Sequence, residues 1–487
     1  MPDLRNLPFD NSYARLGPAF GRRVEPTPLL RPRAVAWNPD AAALLELDPA
    51  EAERPFWVEA FSGGAALPGA EPTAMLYAGH QFGAWVPQLG AGRAILLGEV
   101  RAPSGRWDLH LKGAGITPFS RGFDGRAVLR STIREYLGSE AMHGLGIPTT
   151  RALCIVGSDE PVRRERVETA ATLVRLAPSH VRFGSFEVFA ARGQHDHLLT
   201  LADYVVAEHF PHLVGEPDRH ARFLGEVVER TARLVAAWQS VGWAHGVLNT
   251  DNMSILGLTL DYGPYGFMDD YDPAFVPNHT DDGGRYSFRN QPAVGLWNLG
   301  RLASALLPPV GRDAALAALD GYEPAFAAEY LNRFRARLGL REARGEDGEL
   351  LDSAFDLLAA SRADFTRFWR LLGGFSEEEG AANEPLRDLF IDWGGWEAWA
   401  GRYRARLRSE GSVVAERRAR MDAANPAYVL RNYLAEQAIR RAEEGDGSEV
   451  ERLRKLLRDP FTERPGMEAY AAPPPDWGRR LVVSCSS

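Results

Sequence analysis

The spacing of hydrophobic positions changes along the chain, from strand-like patterns in the first third to helix-like patterns in the rest. Residues 94–100 form a continuous apolar run, and residues 107–112 alternate between apolar and polar side chains. A period of two predicts a half-buried strand with Lys112 on its polar face. From about Ser185 onward, apolar residues recur with helical spacing. The pattern therefore predicts an α+β protein.

One prominent helix is predicted within the strand-rich region. Leu129 and Ile133 lie on one apolar stripe, and Glu135 lies beside that stripe. Asp124 is in a suitable position to cap the amino terminus of this helix, because a carboxylate there can accept a backbone N–H bond. Gly144 begins a glycine- and proline-containing stretch that predicts its end.

The remaining patterns divide the chain into four segments. They are predicted to be an N-terminal arm packed on the body at 1–75, a strand-rich lobe at 76–184, a helical lobe at 185–375, and a helical C-terminal extension with a tail at 376–487. The further strands are predicted at 149–157 and 168–176, and the further helical stretches at 199–210, 219–241, 291–308, 312–338, 349–373, 384–408 and 425–457.

Composition narrows the class of protein. The 487 residues carry 45% hydrophobic and 25% charged side chains and a net charge of −9, which excludes a wholly disordered chain and argues against a nucleic-acid or anionic-membrane binder. Two cysteines, Cys154 and Cys485, are too few for a disulfide scaffold or a zinc ribbon. No apolar run reaches the length of a membrane span, and the first residues lack the pattern of a secretory signal. A cytoplasmic location is expected.

The order of polar motifs indicates a nucleotide-binding site. A glycine loop at 90–92 precedes one strand, Lys112 lies on the next strand, and Glu135 follows on a helix. Far downstream come the segment 245–252, which reads HGVLNTDN, and then Asp261 within LDYG. This is the layout of a two-lobed kinase, in which the lysine holds phosphates, the glutamate holds the lysine, and an asparagine and an aspartate bind Mg²⁺.

Two features depart from an ordinary kinase. His245 and Asn252 have the spacing of the catalytic loop, but Val247 stands where the catalytic aspartate belongs, and valine cannot deprotonate a hydroxyl. In addition, arginines crowd the nucleotide side of the motifs, and guanidinium groups bind phosphate oxygens in pairs. These arginines are Arg93, Arg121, Arg126, Arg175 and Arg182. The triphosphate is therefore expected to lie differently from that of a kinase.

Long, ungapped blocks of the sequence resemble the selenoprotein O family. They span roughly residues 79–303, and the terminal Cys485-Ser-Ser also matches. The blocks are GHQFGAWVPQLGAGRAILLGE, LKGAGITPFSRGFDGRAVLRSTIREYLGSEAMHGLGIPTTRAL, HGVLNTDNMSILGLTLDYGPYGFMDDYDP and NQPAVGLWNLGRLA. The resemblance implies a kinase-like fold that binds ATP in a flipped orientation and transfers AMP, rather than phosphate, to hydroxyl groups of proteins.

The resemblance also implies roles for individual residues. Lys112 and its helix partner Glu135 correspond to the phosphate-binding pair, and Asp251 corresponds to the proton acceptor. The metal ligands for Mg²⁺ or Mn²⁺ correspond to Asn252 and Asp261. The remaining ATP contacts correspond to Gly90, Gly92, Arg93, Asp124, Gly125, Arg175 and Arg182.

The chain departs from the family pattern at two places. Ala91 stands where an aspartate is usual, which is expected to matter little. Pro277 stands where some relatives have a cysteine that can pair with a C-terminal cysteine or selenocysteine. A redox link to Cys485 is therefore in doubt, since the other cysteine, Cys154, lies in an apolar strand pattern and is expected to be a buried core thiol.

Three interpretations of the sequence stay open. The first is a protein adenylyltransferase acting on Ser, Thr or Tyr hydroxyls, on itself as well, or with other nucleoside triphosphates. The second is a protein or small-molecule kinase in which Asp251 replaces the missing aspartate. The third is a catalytically silent ATP-binding scaffold. Taken singly, Lys112 is also compatible with a strand-edge lysine and Glu135 with a solvated helix residue. Protein substrates are expected, without nucleic acid or membrane; the oligomeric state is open and a monomer is compatible with the sequence.

Overall fold

The computed structural model describes residues 1–378, 380–381 and 383–483, and an antiparallel sheet of eight strands organises its first part. The strands follow the order β1-β3-β6-β7-β10-β9-β2, and β8 pairs with β10. Two further pairs, β4 with β5 and β11 with β12, form small separate sheets. The strands are β1 Gly21–Arg23, β2 Arg33–Trp37, β3 Thr73–Met75, β4 Gly79–Gln81, β5 Ala84–Val86, β6 Ala94–Ala102, β7 Gly105–Lys112, β8 Ala127–Val128, β9 Arg151–Arg163, β10 Val167–Ala177, β11 Trp243–Ala244 and β12 Gly266–Phe267.

Helices make up most of the rest of the described chain, so the predicted α+β class is confirmed. They are α1 Pro39–Leu44, α2 Phe56–Phe61, α3 Leu129–Gly144, α4 Phe183–Ala191, α5 His195–His209, α6 Arg219–Ser240, α7 Gln291–Ala305, α8 Leu307–Val310, α9 Arg312–Asp320, α10 Tyr322–Arg337, α11 Asp347–Ser361, α12 Phe365–Leu372, α13 Glu384–Arg387, α14 Trp393–Ser409, α15 Val414–Ala424, α16 Asn432–Glu443, α17 Ser448–Arg458 and α18 Glu468–Ala471. Among them, none combines the length and the apolar composition needed to cross a lipid bilayer.

The register of the central strands places three basic side chains on one face of the sheet. Lys112 of β7 lies opposite Ala94 of β6, and His110 lies opposite Arg175 of β10. Because side chains alternate along a strand, Lys112, His110 and Arg175 share a face. That face is buried, since only 6% of Lys112 and 2% of His110 is exposed. The polar side of β7 therefore lines an interior cleft. The alternation in the sequence shows that these residues share a face, but not whether that face meets solvent or a cleft.

The opposite face of the sheet is apolar and is covered by the N-terminal segment. Leu109 and Leu111 of β7 belong to a buried cluster with Trp57 and Phe61 of α2. The N-terminal segment also enters the sheet, because β1 and β2 form its two edges. The predicted N-terminal arm therefore does not only pack on the surface of the strand-rich lobe. Its strands β1 and β2 are hydrogen-bonded parts of the sheet. The proposed boundaries at 75, 184 and 375 stay predictions.

The helix that carries Glu135 starts later than the sequence indicates. Ala127 and Val128 pair with β10 as β8, so α3 begins only at Leu129 and Val128 precedes it without a side-chain cap. The prediction that Asp124 caps this helix is therefore wrong. Its carboxylate accepts a bond from the backbone N–H of Arg126 instead, at 2.9 Å.

The helical part of the chain differs from the prediction mainly in where helices break. Each of the stretches 312–338, 349–373, 384–408 and 425–457 contains two helices rather than one continuous pattern, and α15 was not predicted. One break falls at Arg362, which ends α11 with a left-handed φ of 47°. The C-terminal helices return to the strand-rich lobe, where Arg134 of α3 donates to the side chain of Asn432 at 3.2 Å.

The described end of the chain lies beside Pro277. Val483 forms a parallel bridge with Asn278, and its carbonyl oxygen accepts a bond from the backbone N–H of His279 at 3.2 Å. Cys485 lies outside the described residues. Cys154 is fully buried on β9 and has no disulfide partner among the described residues, which confirms its prediction as a core thiol.

Burial raises the pKa of the Cys154 thiol well above its usual value, so its reactive thiolate form is suppressed. In a Cys485→Ser variant, Cys154 is the single remaining thiol. We expect this variant to resist labelling by a thiol reagent in the native state and to react fully in denaturant, as measured by absorbance of the released chromophore. Rapid labelling of the native protein would contradict the buried position.

Candidate active site

One cavity of about 610 Å³ collects nearly all the residues that the sequence singled out. It lies between the buried polar face of the sheet and the loops that follow α6. The predicted residues in its wall are Gly90, Gly92, Arg93, Lys112, Arg121, Asp124, Gly125, Arg126, Arg175, Arg182, Asp251, Asn252 and Asp261. Glu135 does not line the cavity and lies behind the lysine. Positions spread over about a third of the chain, from Gly90 to Asp261, thus converge on one space large enough for a nucleotide.

Lys112 and Glu135 form an ion pair inside the protein. Glu135 is 1% exposed, and its other carboxylate oxygen accepts a bond from Arg175 at 3.1 Å. Burial lowers the pKa of Lys112, while the attraction of Glu135 acts in the opposite direction. Strand β7 and helix α3 therefore hold the lysine head at a fixed place in the cavity wall.

Asp261 is clamped by two arginines. One carboxylate oxygen accepts from Arg175 and the other from Arg182. Burial alone would raise the pKa of Asp261, but Arg182 and Arg175 outweigh it and hold the pKa well below the usual range. Asp261 also adopts a left-handed φ of 57°, a conformation that aspartate tolerates better than most residues and that is typical of functional sites.

The loop before Asp261 is braced by a neutral histidine. Burial lowers the pKa of His245 to about 4, and its ring lies 3.1 Å from the carbonyl oxygen of Leu260. Asn252 donates its amide N–H to the carbonyl of Val247 at 2.8 Å, which leaves its amide oxygen as an acceptor. The Asn252 amide oxygen and the Asp261 carboxylate therefore both face the cavity that Lys112, Arg175 and Arg182 also line. The side chain of Val247 adds only an apolar surface to the wall.

Asp251 is a further carboxylate of the cavity wall, beside Asp261 and Asp124. Burial raises the pKa of Asp251 to about 7, against the opposing effects of Arg182 and of a hydrogen bond from Gln81. That bond runs from the Gln81 amide to Oδ2 over 3.1 Å, and Oδ1 is buried with no hydrogen-bond partner in the described part of the chain. A carboxyl group with a pKa near neutrality is suited to exchanging a proton with a bound substrate.

The glycines of the first loop are required by close packing. A Cβ added to Gly90 would lie 2.3 Å from the ring of Phe119, and one added to Gly92 would lie 3.0 Å from the Phe119 carbonyl oxygen. Thr117 ties the two loops together by donating to the carbonyl of Ala91 at 2.8 Å. The segment after β7 therefore lies directly against the glycine loop and helps to form one end of the cavity.

Asp124 and Arg126 are less available to a ligand than the sequence indicated. Arg164 donates to both oxygens of Asp124, at 2.7 and 2.9 Å, and this pairing lowers the pKa of the carboxyl. Arg126 lines the cavity, but its guanidinium binds Glu160 at 2.9 Å and the carbonyl oxygen of Thr27 at 2.7 Å. Arg126, one of the five arginines predicted to crowd the nucleotide side, therefore uses its guanidinium to connect neighbouring segments of the chain.

The cavity wall also contains residues that the sequence reasoning missed, and three of them bear on the charged groups of the site. They are Gln81, His110 and Arg164. His110 could have been found, because it lies two positions before Lys112 and a strand repeats every second residue. Its Nδ1 accepts a hydrogen bond from the Arg175 guanidinium at 2.8 Å, and its ring stacks on that of His180 with centroids 4.3 Å apart. Gln81 and Arg164 approach through long-range contacts that carry no local signal.

The donor set of the cavity fits a divalent cation such as Mg²⁺. Asn252 offers an amide oxygen and Asp261 a carboxylate, and both line the cavity beside buried basic groups. Mg²⁺ is commonly bound by one or two protein oxygens together with water and substrate phosphates. The two residues would therefore hold the cation only in company with an anionic ligand.

Comparison with known proteins identifies the family. A family model described as "Protein adenylyltransferase SelO" matches residues 3–458. The chain belongs to the SelO family. Proteins named "Protein nucleotidyltransferase YdiU" are similar over their full lengths: that of Myxococcus xanthus is 62% identical over 488 residues, that of Thioalkalivibrio sulfidiphilus 57% over 494, and that of Thiobacillus denitrificans 56% over 490, each covering 100% of both chains. The predicted resemblance and the nucleotidyltransferase class of enzyme are confirmed, in agreement with the kinase-like fold.

The Lys112–Glu135 pair yields a test of the site's architecture. Replacing Glu135 with alanine is expected to lower the free energy of unfolding by about 3–5 kcal/mol, because Lys112 would lose its buried counter-ion and Arg175 one of its two. Urea-induced unfolding followed by fluorescence measures the difference. As a control, Glu229→Ala removes a solvent-exposed partner of Arg233 and should leave the unfolding curve unchanged. Equal effects of the two substitutions would contradict the buried pairing.

Proposed function

We propose that this chain transfers AMP from ATP to the hydroxyl groups of Ser, Thr or Tyr side chains of proteins and releases pyrophosphate. The observation that supports the proposal most is a single cavity that combines three buried cations, two oxygen donors for a metal ion and a carboxyl group of raised pKa. These residues are Lys112, Arg175, Arg182, Asn252, Asp261 and Asp251. Family membership supports the same class of reaction.

The basic residues of the cavity suit the leaving group of this reaction. Pyrophosphate leaves with several negative charges, and fixed cations stabilise charge that develops during transfer. Lys112, Arg175 and Arg182 are held in place by Glu135 and Asp261, so little reorganisation is needed for a triphosphate to bind. A bound Mg²⁺ or Mn²⁺ would add charge neutralisation on the phosphates, held by Asn252 and Asp261.

Asp251 is the proposed proton acceptor. The hydroxyl oxygen of the acceptor side chain forms a bond to the α-phosphorus, the bond from the α-phosphorus to the oxygen that bridges the α- and β-phosphates breaks so that pyrophosphate leaves, and the hydroxyl proton moves to Asp251. For this step the α-phosphate must face Asp251 and the β- and γ-phosphates must lie toward the buried cations. That placement corresponds to ATP flipped relative to a kinase.

Labelled ATP distinguishes this reaction from phosphate transfer. Incubation with ATP labelled at the α-phosphate is expected to label protein, the chain itself or an added acceptor, whereas ATP labelled at the γ-phosphate is not. Gel autoradiography and mass spectrometry measure the product, which should be heavier by one AMP group. Label from the γ-phosphate alone would favour a kinase, and binding of ATP without either label would favour a silent scaffold.

The metal assignment predicts the effect of a conservative substitution. Asp261→Asn is expected to reduce AMP transfer by roughly 100-fold or more, because the amide replaces the only carboxylate in the proposed ligand pair and weakens charge stabilisation in the transition state. Initial rates over a range of Mg²⁺ and Mn²⁺ concentrations provide the measurement. Asp320→Asn, at an exposed position at the end of α9, serves as a control and should behave as wild type. Unchanged turnover in Asp261→Asn would refute the assignment.

A further inference from the structure

The β4–β5 hairpin, residues 79–86, lies against the loop that carries Asp251. The backbone N–H of His80 donates to the Thr250 hydroxyl at 2.7 Å, and the backbone N–H of Phe82 donates to the side-chain oxygen of Asn249 at 3.2 Å. These two bonds bracket Gln81 and fix its backbone opposite the loop. The hairpin is therefore attached on both sides of the residue that reaches the carboxylate.

The hairpin holds the Asp251 carboxylate from two directions. The Gln81 amide donates to Oδ2 at 3.1 Å, and a Cβ added to Gly79 would lie 3.0 Å from Oδ1. The glycine backbone thus packs directly against one oxygen while the glutamine amide binds the other. A carboxylate confined in this way has little freedom to rotate, and Oδ2 keeps a second lone pair for another donor.

The hairpin is itself rigidly supported. His80 pairs with Glu187 of α4 at 2.6 Å, and its ring lies 5.4 Å from that of Trp297 on α7. Its two-residue turn, Phe82 and Gly83, has positive φ angles of 51° and 82°, which is the geometry of a tight type I′ hairpin. The Phe82 N–H also donates to the Tyr286 hydroxyl at 2.8 Å. Gln81 therefore projects from a fixed frame rather than from a mobile loop.

We propose that Gln81 is a positioning residue that orients the Asp251 carboxylate toward the acceptor hydroxyl. This inference rests on the proposed function, in which Asp251 accepts the proton. An ordinary kinase places its aspartate at the position of Val247, so Asp251 needs another element to aim it. A glutamine is suited to this task because its neutral amide orients the carboxylate through a hydrogen bond. A lysine or an arginine would instead form an ion pair with the carboxylate and stabilise its charge.

The inference predicts a selective loss of turnover. Gln81→Met keeps the length of the side chain but removes the amide donor, and we expect kcat for AMP transfer to fall at least about tenfold, which is part of the roughly 10²–10⁴-fold that general-base catalysis typically contributes. The KM for ATP and the Kd for ATP measured by calorimetry should stay unchanged. Gln88→Met provides a matched control, since Gln88 is exposed and outside the cavity wall. If Gln81→Met is not recovered folded, Gln81→Leu gives the same comparison.

A double-mutant cycle separates positioning from a general structural effect. If Gln81 acts through Asp251, adding Gln81→Met to Asp251→Asn should cause no further loss of kcat. A wild-type kcat in Gln81→Met, an equal loss in both backgrounds, or weakened ATP binding would each overturn the inference. Failure of the proposed function has a different signature, because wild-type protein would then transfer no label from the α-phosphate to any acceptor.

Discussion

A buried cluster of alternating charges is the constraint on which the rest of the site depends. Three cations, Lys112, Arg175 and Arg182, share two carboxylates, Glu135 and Asp261, within hydrogen-bonding distance. Isolated charges are costly to bury, so each charged side chain of the cluster depends on its oppositely charged neighbours to offset the loss of hydration. Among these five groups one positive charge is in excess, and an anionic ligand in the adjoining cavity can compensate it. The cluster thus links the stability of the fold to its affinity for phosphates.

The sheet supplies the geometry of this cluster through its register. Arg175 reaches Glu135 and Asp261 because β10 pairs with β7 two residues away from Lys112, on the same face. A shift of one residue in that pairing would turn the cations toward the apolar cluster on the other face, so register and charge placement are fixed together. The glycine loop and the segment after β7 then close the cavity through contacts that only glycine permits at Gly90.

Motif order was sufficient to predict that Lys112, Glu135 and Asp261 lie close together, because they occur in an order that few other folds require. Motif order did not predict how the residues of the site are used. Asp124 does not cap the helix because residues 127–128 pair with β10. That pairing depends on residues about 40 positions further along the chain, which local patterns do not reveal. Gln81 carried no local signal, since its contact with Asp251 joins segments that are far apart in the sequence. Local periodicity identified elements, whereas long-range contacts decided their ends and partners.

The two edges of the sheet have a consequence for how the protein is made. Strand β2 is synthesised early, yet its partner is β9, so that Trp37 meets Cys154 only after about a hundred further residues have emerged from the ribosome. Until then the start of the chain exposes an unpaired strand and the apolar side chains of α2 that later cover the sheet. The strand-rich lobe cannot form sequentially from its first residue, and its slowest step is expected to be the return of the chain to its own beginning.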